Sequence, residues 1–251
     1  DTMYAVFLGR ALQTVNPADA SVGTSQLAAT SVTAAKLNND IISGTTALGE
    51  TPADTDEFLV SDAGTLKRVD YSHIKGGGQK TLLHTVDASS SSSIEFNNTY
   101  ITSAYRDYHF TWSNMITGSD NTLLFMRVSD DNGSSFETNN YARNNFGLRV
   151  DSTTLSTNTN TGGSSFELTP ANMGNASGEN TSGFVTIFDM LGTNNHKLII
   201  GRVQYHETNT YAHQNILGGS FMGSTSALNA VQFTVSVGNI ASGRFKIFGI
   251  T

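Results

Sequence analysis

The side chains best suited to chemistry concentrate in one short segment of the chain. They are Tyr205, His206, Glu207, Asn209, Tyr211 and His213. A zinc peptidase motif would need a second histidine four residues after the first, and the His206-Glu207 pair lacks it. A loop that offers rings and hydrogen-bonding edges to a sugar is one interpretation of this composition, and a plain solvated loop is the other.

A second candidate is the acidic segment 130–134, whose Asp130 and Asp131 could bind Ca²⁺ through oxygen atoms. An EF-hand loop that began at Asp130 would need an acidic residue at its twelfth position, where Tyr141 stands. Asn132-Gly133, in contrast, is a pair that readily takes positive φ in a hairpin turn. The segment therefore favours a turn, and we expect neither a metal ion nor a cofactor.

No arrangement of residues points to catalysis. Hydrolysis of glycans needs two carboxylates ~5 to 10 Å apart. The acidic residues considered for such a pair are Asp107, Asp130, Asp131, Glu137 and Glu167, and their spacing singles out none. The sequence has no Gly-x-Ser-x-Gly elbow, and its lack of cysteine excludes thiolate nucleophiles, thiolate zinc sites and disulfides. We predict that the protein is not an enzyme.

Composition narrows the possible partners. Only 14% of the 251 residues are charged, and the net charge is −7, with no cluster of Lys and Arg. A nucleic-acid-binding surface normally requires such a cluster, so DNA and RNA are poor candidates. No apolar run approaches the ~20 residues of a membrane helix, so we expect no membrane insertion.

Alternating polarity predicts the elements that must position these residues. In the run 108–112, Tyr108, Phe110 and Trp112 alternate with His109 and Thr111, which is the pattern of a half-buried antiparallel strand. This places Trp112 in the core and His109 on the opposite face. Eleven such runs follow one another from residue 81 to residue 250, separated by Asn, Ser, Asp and Gly clusters. They predict an all-β fold whose C-terminal part is an antiparallel β-sandwich of jelly-roll-like type.

The first part of the chain has a different composition. Four aromatic residues precede the glycine triplet 76–78, and 19 follow it. Two ten-residue repeats, 21–30 and 31–40, begin a segment with few apolar anchors, which are Val22, Leu27, Val32, Leu37 and Ile41. Such a segment cannot form a core alone, so we expect residues 17–78 to be an oligomeric shaft or linker with a short hairpin and little helix, and residues 79–251 to be the sandwich.

Four segments resemble the tail fibre proteins of tailed bacteriophages, particularly marine and cyanobacterial ones. They are residues 6–19, residues 31–37, the hairpin 58–64 and the C-terminal run 236–250. The resemblance implies a homotrimer in the virion tail, whose N-terminal part binds other virion proteins. It also implies that residues 1–16 end a truncated virion-anchoring module, and that the C-terminal domain binds a host surface glycan or an outer-membrane receptor.

Recognition is therefore expected at loops on the tip of the sandwich. The predicted receptor-binding residues are Tyr205, His206, Glu207, Asn209, Tyr211 and His213, supported by Asn139, Asn140 and Tyr141. The tyrosines could instead fill gaps between subunits. A structural connector of the tail that never contacts the receptor, or a glycan depolymerase, are the alternative functions.

Overall fold

Two compact units divide the chain, residues 1–75 and residues 76–251. The computed structural model describes residues 2–3, 18–28, 31–33, 36, 44–74, 80–209 and 211–251. Most of the predicted anchoring segment 1–16, the shaft anchors Leu37 and Ile41, and the glycine triplet lie outside the described residues.

A two-stranded hairpin is the main element of the first unit. Strands β1 (Glu57–Asp62) and β2 (Thr65–Asp70) pair in antiparallel register around the turn Ala63-Gly64. Both turn residues have positive φ, 48° and 83°, which a two-residue hairpin turn of the primed type requires. The hairpin predicted from the sequence is therefore confirmed.

Helix is scarce in the described residues. A 3₁₀ turn covers Thr24–Gln26, and one turn of α-helix covers Tyr71–Ile74. Neither helix, nor any other in the described part of the chain, has the length and apolarity that crossing a membrane would take.

The described residues of the second unit form twelve strands. They are β3 (Thr81–Ser91), β4 (Ile94–Phe96), β5 (Asp107–Thr117), β6 (Leu124–Ser129), β7 (Tyr141–Arg149), β8 (Ser156–Gly163), β9 (Phe166–Glu167), β10 (Thr181–Ile187), β11 (Lys197–His206), β12 (Ala212–Phe221), β13 (Ala230–Val235) and β14 (Ile240–Ile250). One sheet has eight strands in the order β3-β14-β5-β10-β11-β12-β7-β8, and the other has four in the order β4-β13-β6-β9. All pairings are antiparallel, so the predicted all-β sandwich is confirmed.

Aromatic side chains fill the space between the two sheets. The ring of Phe233, on the small sheet, lies 5.9 Å from Phe110, 6.0 Å from Trp112 and 5.6 Å from Phe245, all on the large sheet. Such tilted pairs of buried rings contribute more than their area alone. Trp112 is 2% exposed, which confirms that it belongs to the core.

The acidic segment forms a turn between β6 and β7. Asn132 and Gly133 both have positive φ, 66° and 84°. The carboxylate of Asp131 accepts hydrogen bonds from the hydroxyls of Ser129 (2.7 Å) and Ser135 (2.6 Å) and from the Ser135 amide (2.9 Å). These bonds, those from Ser135 above all, hold the pKa of Asp131 at about 2. The carboxylate thus closes the turn predicted for this segment.

The sequence missed one strand. β8 has the sequence Ser-Thr-Asn-Thr-Asn-Thr-Gly-Gly, and no residue in it is buried. It lies at an edge of the large sheet, where both faces of a strand can remain polar. An edge strand of this kind carries no alternation of apolar residues that a sequence pattern could reveal.

Candidate functional site

The segment expected to be one loop is strand at both of its ends. β11 continues through His206 and β12 begins at Ala212, so five residues of the sequence separate the two strands. Tyr205 pairs directly with His213 across the hairpin. The predicted residues of this segment are therefore brought together, but by a sheet and not by a long tip loop.

The supporting segment 139–141 lies elsewhere, and the expectation that it joins the same site is wrong. Tyr141 pairs with Phe221 at one end of the β7–β12 ladder, while Arg149 pairs with His213 at the other end. Eight residues of strand separate the two ends, which is roughly 26 Å at the usual rise per residue. Asn139 and Asn140 precede Tyr141 and therefore cannot share a ligand of sugar size with His213.

Two of the three predicted tyrosine platforms are enclosed. Tyr141 is completely buried, and its hydroxyl accepts a hydrogen bond from the amide of Val128 at 2.8 Å. Tyr205 is 2% exposed, and burial raises the pKa of its hydroxyl. Neither ring can offer a face to a ligand in this fold, so the proposed stacking role is wrong for both, while Tyr211 remains 42% exposed.

A hydrogen-bonded network links the predicted residues at the end of the β11–β12 hairpin. Nδ1 of His213 lies 2.8 Å from Oε1 of Glu207 and 3.1 Å from the hydroxyl of Tyr205. The other oxygen of Glu207 accepts from Arg149 at 3.3 Å. His213 and Glu207 have only 6% and 14% of their side chains exposed, so this pair fixes the hairpin from within.

Arg149 carries the network to the surface. Its Nε donates to Asp151 at 2.6 Å, and its guanidinium carbon lies 5.3 Å from the centre of the Tyr211 ring. A cation over an aromatic face attracts the ring electrostatically. The contact holds Tyr211 in place while leaving part of its ring exposed.

The outer face of the large sheet carries a pocket that this network borders, because Arg149, Tyr205 and His213 are among its lining residues. Its volume is about 480 Å³, within the range usual for small-ligand pockets. Across its floor Ser182, Gln204, Gln214 and Leu148 follow one another on strands β10, β11, β12 and β7, each directly paired with the next. His206 and Val150 also line it, so neutral hydrogen-bonding groups lie beside apolar ones.

A second pocket of about 410 Å³ adjoins the first. It is lined by Thr111, Ser182, Gly183, Phe184, Arg202 and Gln204. Ser182 and Gln204 line both pockets. The two therefore form one groove, which we call the outer-face groove, across strands β5, β10, β11, β12 and β7.

The glycine in the groove floor is dictated by packing. A side chain at Gly183 would place its Cβ 2.6 Å from the Trp112 ring, closer than real Cβ atoms come. A register irregularity separates Thr181 from Gly183 where β10 pairs with β5. Trp112 thus shapes the groove from beneath through a residue that has no side chain.

Sequence reasoning missed the floor of this groove. It placed recognition on loops because it assigned sheet faces to the core or to subunit contacts. The alternation of exposed Arg202 and Gln204 with buried Val203 and Tyr205 was a readable signal that one face of β11 is polar. That Ser182, Gln204 and Gln214 align could be known only from the strand registers.

Comparison of the chain with family models, curated proteins and solved structures found no match.

Proposed function

We propose that this protein is a non-enzymatic attachment protein whose C-terminal β-sandwich binds a glycan at a cell surface. The observation that carries the proposal is the outer-face groove, in which Ser182, Gln204 and Gln214 form a row of neutral donors and acceptors next to apolar Leu148. Sugars present hydroxyl groups on their edges and C–H groups on their faces, and such a surface complements both. The resemblance to phage tail fibres supports placing the protein in a virion tail.

The hydrogen bonds already made in the groove favour binding over reaction. Gln214 Oε1 accepts from Arg202 at 2.6 Å and from Gln204 Nε2 at 3.3 Å, so the amides are held in fixed orientations. His206 lines the groove, while the nearby imidazole of His213 and carboxylate of Glu207 bond to each other and are largely enclosed. The enclosure of this pair supports binding in preference to proton exchange with a bound substrate.

A glycan array with the full-length chain tests the proposal, followed by titration calorimetry on each hit. Gln204→Ala should weaken binding about tenfold, because two hydrogen-bonding groups of the groove are lost. The matched control is Gln232→Ala on the small sheet, whose amide bonds to Glu95 and lies outside the groove. Equal loss in both variants, or no glycan bound at all, would contradict a binding site in the groove.

Assembly into a homotrimer belongs to the same proposal. Several weak sites on one particle raise the overall affinity by ~10² to 10⁴ without any new contact. The first unit supports this role, because the hairpin side chains Leu59 and Leu66 are 74% and 70% exposed. A surface this apolar is suited to packing against identical copies.

A structural connector is the second candidate function, and a different observation favours it. Phe146, Ile200 and Ile216, also on the outer face of the large sheet, are each more than 40% exposed. Apolar side chains grouped on one face are typical of a protein interface. Inhibition of adsorption by the purified chain would support attachment, and unchanged adsorption with binding to virion tail proteins would support the connector.

A further inference from the structure

The outer-face groove carries positive charge although the whole chain is negative. The net charge of the chain is −7. Across the groove one row of directly paired residues reads Lys246, Thr111, Phe184, Arg202 and Ile216, on β14, β5, β10, β11 and β12. The row holds two cations and no acid. Lys246 lies one strand beyond the groove, where it interacts with Asp87, so the unpaired positive charge in the groove lining is that of Arg202.

Arg202 is exposed and lacks an acidic partner among the described residues. Its guanidinium donates a hydrogen bond to a neutral amide, Oε1 of Gln214, at 2.6 Å. Five other arginines of the described chain form salt bridges: Arg68, Arg106, Arg143, Arg149 and Arg244. An arginine held in place by an amide keeps its charge and most of its donors available to a ligand.

The guanidinium of Arg202 favours an anionic ligand. Its planar set of N–H donors matches carboxylate, sulfate and phosphate oxygens, and bonds to such anions are stronger than bonds to neutral hydroxyls. Gln214 fixes the orientation of the Arg202 side chain in advance, which lowers the entropy lost on binding. A neutral sugar would leave this charge unused.

Phe184 provides a surface next to the cation. It is partly exposed on the outer face and pairs with Arg202. The ring of His109, on the same face of the sheet, lies beside it at 5.1 Å and packs against the Phe184 ring. Lys246 is three strands away from Arg202, roughly 14 Å at the usual strand spacing. One extended chain with repeated charges can therefore reach both cations.

We infer that the ligand of the outer-face groove is an acidic saccharide, with a carboxylate or sulfate on Arg202 and a sugar ring against Phe184. This inference rests on the proposed function and specifies its ligand class. It requires no covalent step.

The test compares polygalacturonate oligomers with the same oligomers after full methyl esterification, which removes only the charge. The full-length chain should bind the acidic form at least about tenfold more tightly, and the difference should shrink as salt is raised. Dextran sulfate and dextran form a second matched pair that carries sulfate in place of carboxylate. Preference for the charged member of either pair supports the inference.

Two variants locate the charge effect. Arg202→Gln should abolish the preference for the acidic form, while Lys246→Gln should reduce it less. Arg127→Gln is the matched control: Arg127 lies on the small sheet, has no salt bridge among the described residues and donates to the carbonyl of Ser164. It should leave the preference unchanged, and equal losses in Arg127→Gln and Arg202→Gln would overturn the inference as mere long-range attraction.

The failure of this inference can be told apart from failure of the proposed function. Neutral glycans that bind through Gln204, with no effect of Arg202→Gln, would overturn the acidic ligand and leave attachment intact. If no glycan of either kind binds on the array, both are overturned. Melting temperatures of all variants should match that of the wild type, because the exchanged side chains are not buried.

Discussion

The described residues of the two units differ in how much apolar surface they bury. In the described residues of the second unit, thirty apolar side chains are buried, among them Trp112 and Phe233. In the described residues of the first unit no side chain is buried, and Phe58, Leu59 and Leu66 are exposed by 41%, 74% and 70%. The first unit obtains little stability from its own packing, whereas the second has a complete core.

This difference in apolar burial indicates which contacts stabilise each unit. Burial of apolar area is the main favourable term in folding, so we expect a hairpin with its apolar residues in water to gain stability from contacts outside itself, which identical copies would supply in the proposed trimer. In the second unit, packing between its own two sheets supplies the apolar burial that folding requires. Assembly is thus expected to depend on the first unit and recognition on the second.

The strongest test of this comparison is removal of apolar side chains from the hairpin. Leu59 and Leu66 lie on the same face, because Leu66 pairs with Ser61, two residues along from Leu59. We expect Leu59→Asp with Leu66→Asp to convert a particle of three copies into single chains at micromolar concentration. Light scattering measures the mass, and the sandwich should keep its melting transition.

The control for assembly is Val237→Asp. Val237 is 57% exposed in the second unit and should not affect the mass. A monomer mass for the wild-type chain would contradict the expectation that the first unit depends on other copies of the chain.

The next largest effect is expected inside the second unit. Arg143 on β7 donates to Glu167 on β9 at 2.8 Å and joins the two sheets, with side chains only 7% and 17% exposed. Glu167→Ala leaves a buried charge without its partner and should lower the free energy of unfolding by about 3 to 5 kcal/mol. Chemical denaturation measures this loss.

An exposed ion pair provides the comparison for that loss. Asp87→Ala, which breaks the Arg244–Asp87 pair at the surface, should cost far less. Replacing both Arg143 and Glu167 by Met should recover much of the stability. Similar losses for Glu167→Ala and Asp87→Ala would show that the buried pair does not hold the sheets together.

Acid should weaken the second unit through His109. This side chain is 7% exposed and hydrogen-bonds to Thr186 at 2.8 Å, and burial lowers its pKa from 6.5 to about 4, with a smaller contribution from Lys80. The folded state therefore binds fewer protons than the unfolded state between these values. The stability that neutral His109 contributes is fully present above pH 6.5, and the free energy of unfolding should fall by up to about 3 kcal/mol as the pH drops to 4.

Denaturation curves at pH 7, 5.5 and 4 measure the contribution of His109. His109→Gln should remove this part of the pH dependence, while His196→Gln, at an exposed position, should keep it. An unchanged slope in His109→Gln would assign the acid sensitivity to other groups.

The smallest effect is expected from chelation. The Asp131 carboxylate is already bonded to Ser129 and Ser135, so removal of divalent ions should leave the melting temperature unchanged. An ion present at 100 times its dissociation constant would add about 2.7 kcal/mol to stability. A large drop with chelator that disappears in Asp130→Ala would contradict the interpretation of this segment as a turn.

Much of the fold could be predicted from local patterns. The alternation around Phe110 and Trp112 identified a strand and its buried face, and Asn132-Gly133 and Ala63-Gly64 identified turns, because these signals depend only on neighbouring residues. The same reasoning misjudged Tyr205 and His213, since polar residues that occupy inward positions of paired strands look like a loop. Glu207 lies across the hairpin turn from its partner His213, and the Tyr205 hydroxyl contacts His213 itself, so the hydrogen bonds that permit their burial are a tertiary property.

An all-β chain, with an aromatic-rich second part, a first part that has few apolar residues and a short hairpin at residues 57–70, could be predicted from the sequence alone. The row formed by Ser182, Gln204 and Gln214 is visible only in the tertiary structure. The same holds for the amide beside Arg202 and for the distance between Tyr141 and His213. The physical reason is that side-chain alternation along a strand is local, whereas the neighbours of a strand residue are set by registers between segments distant in the chain.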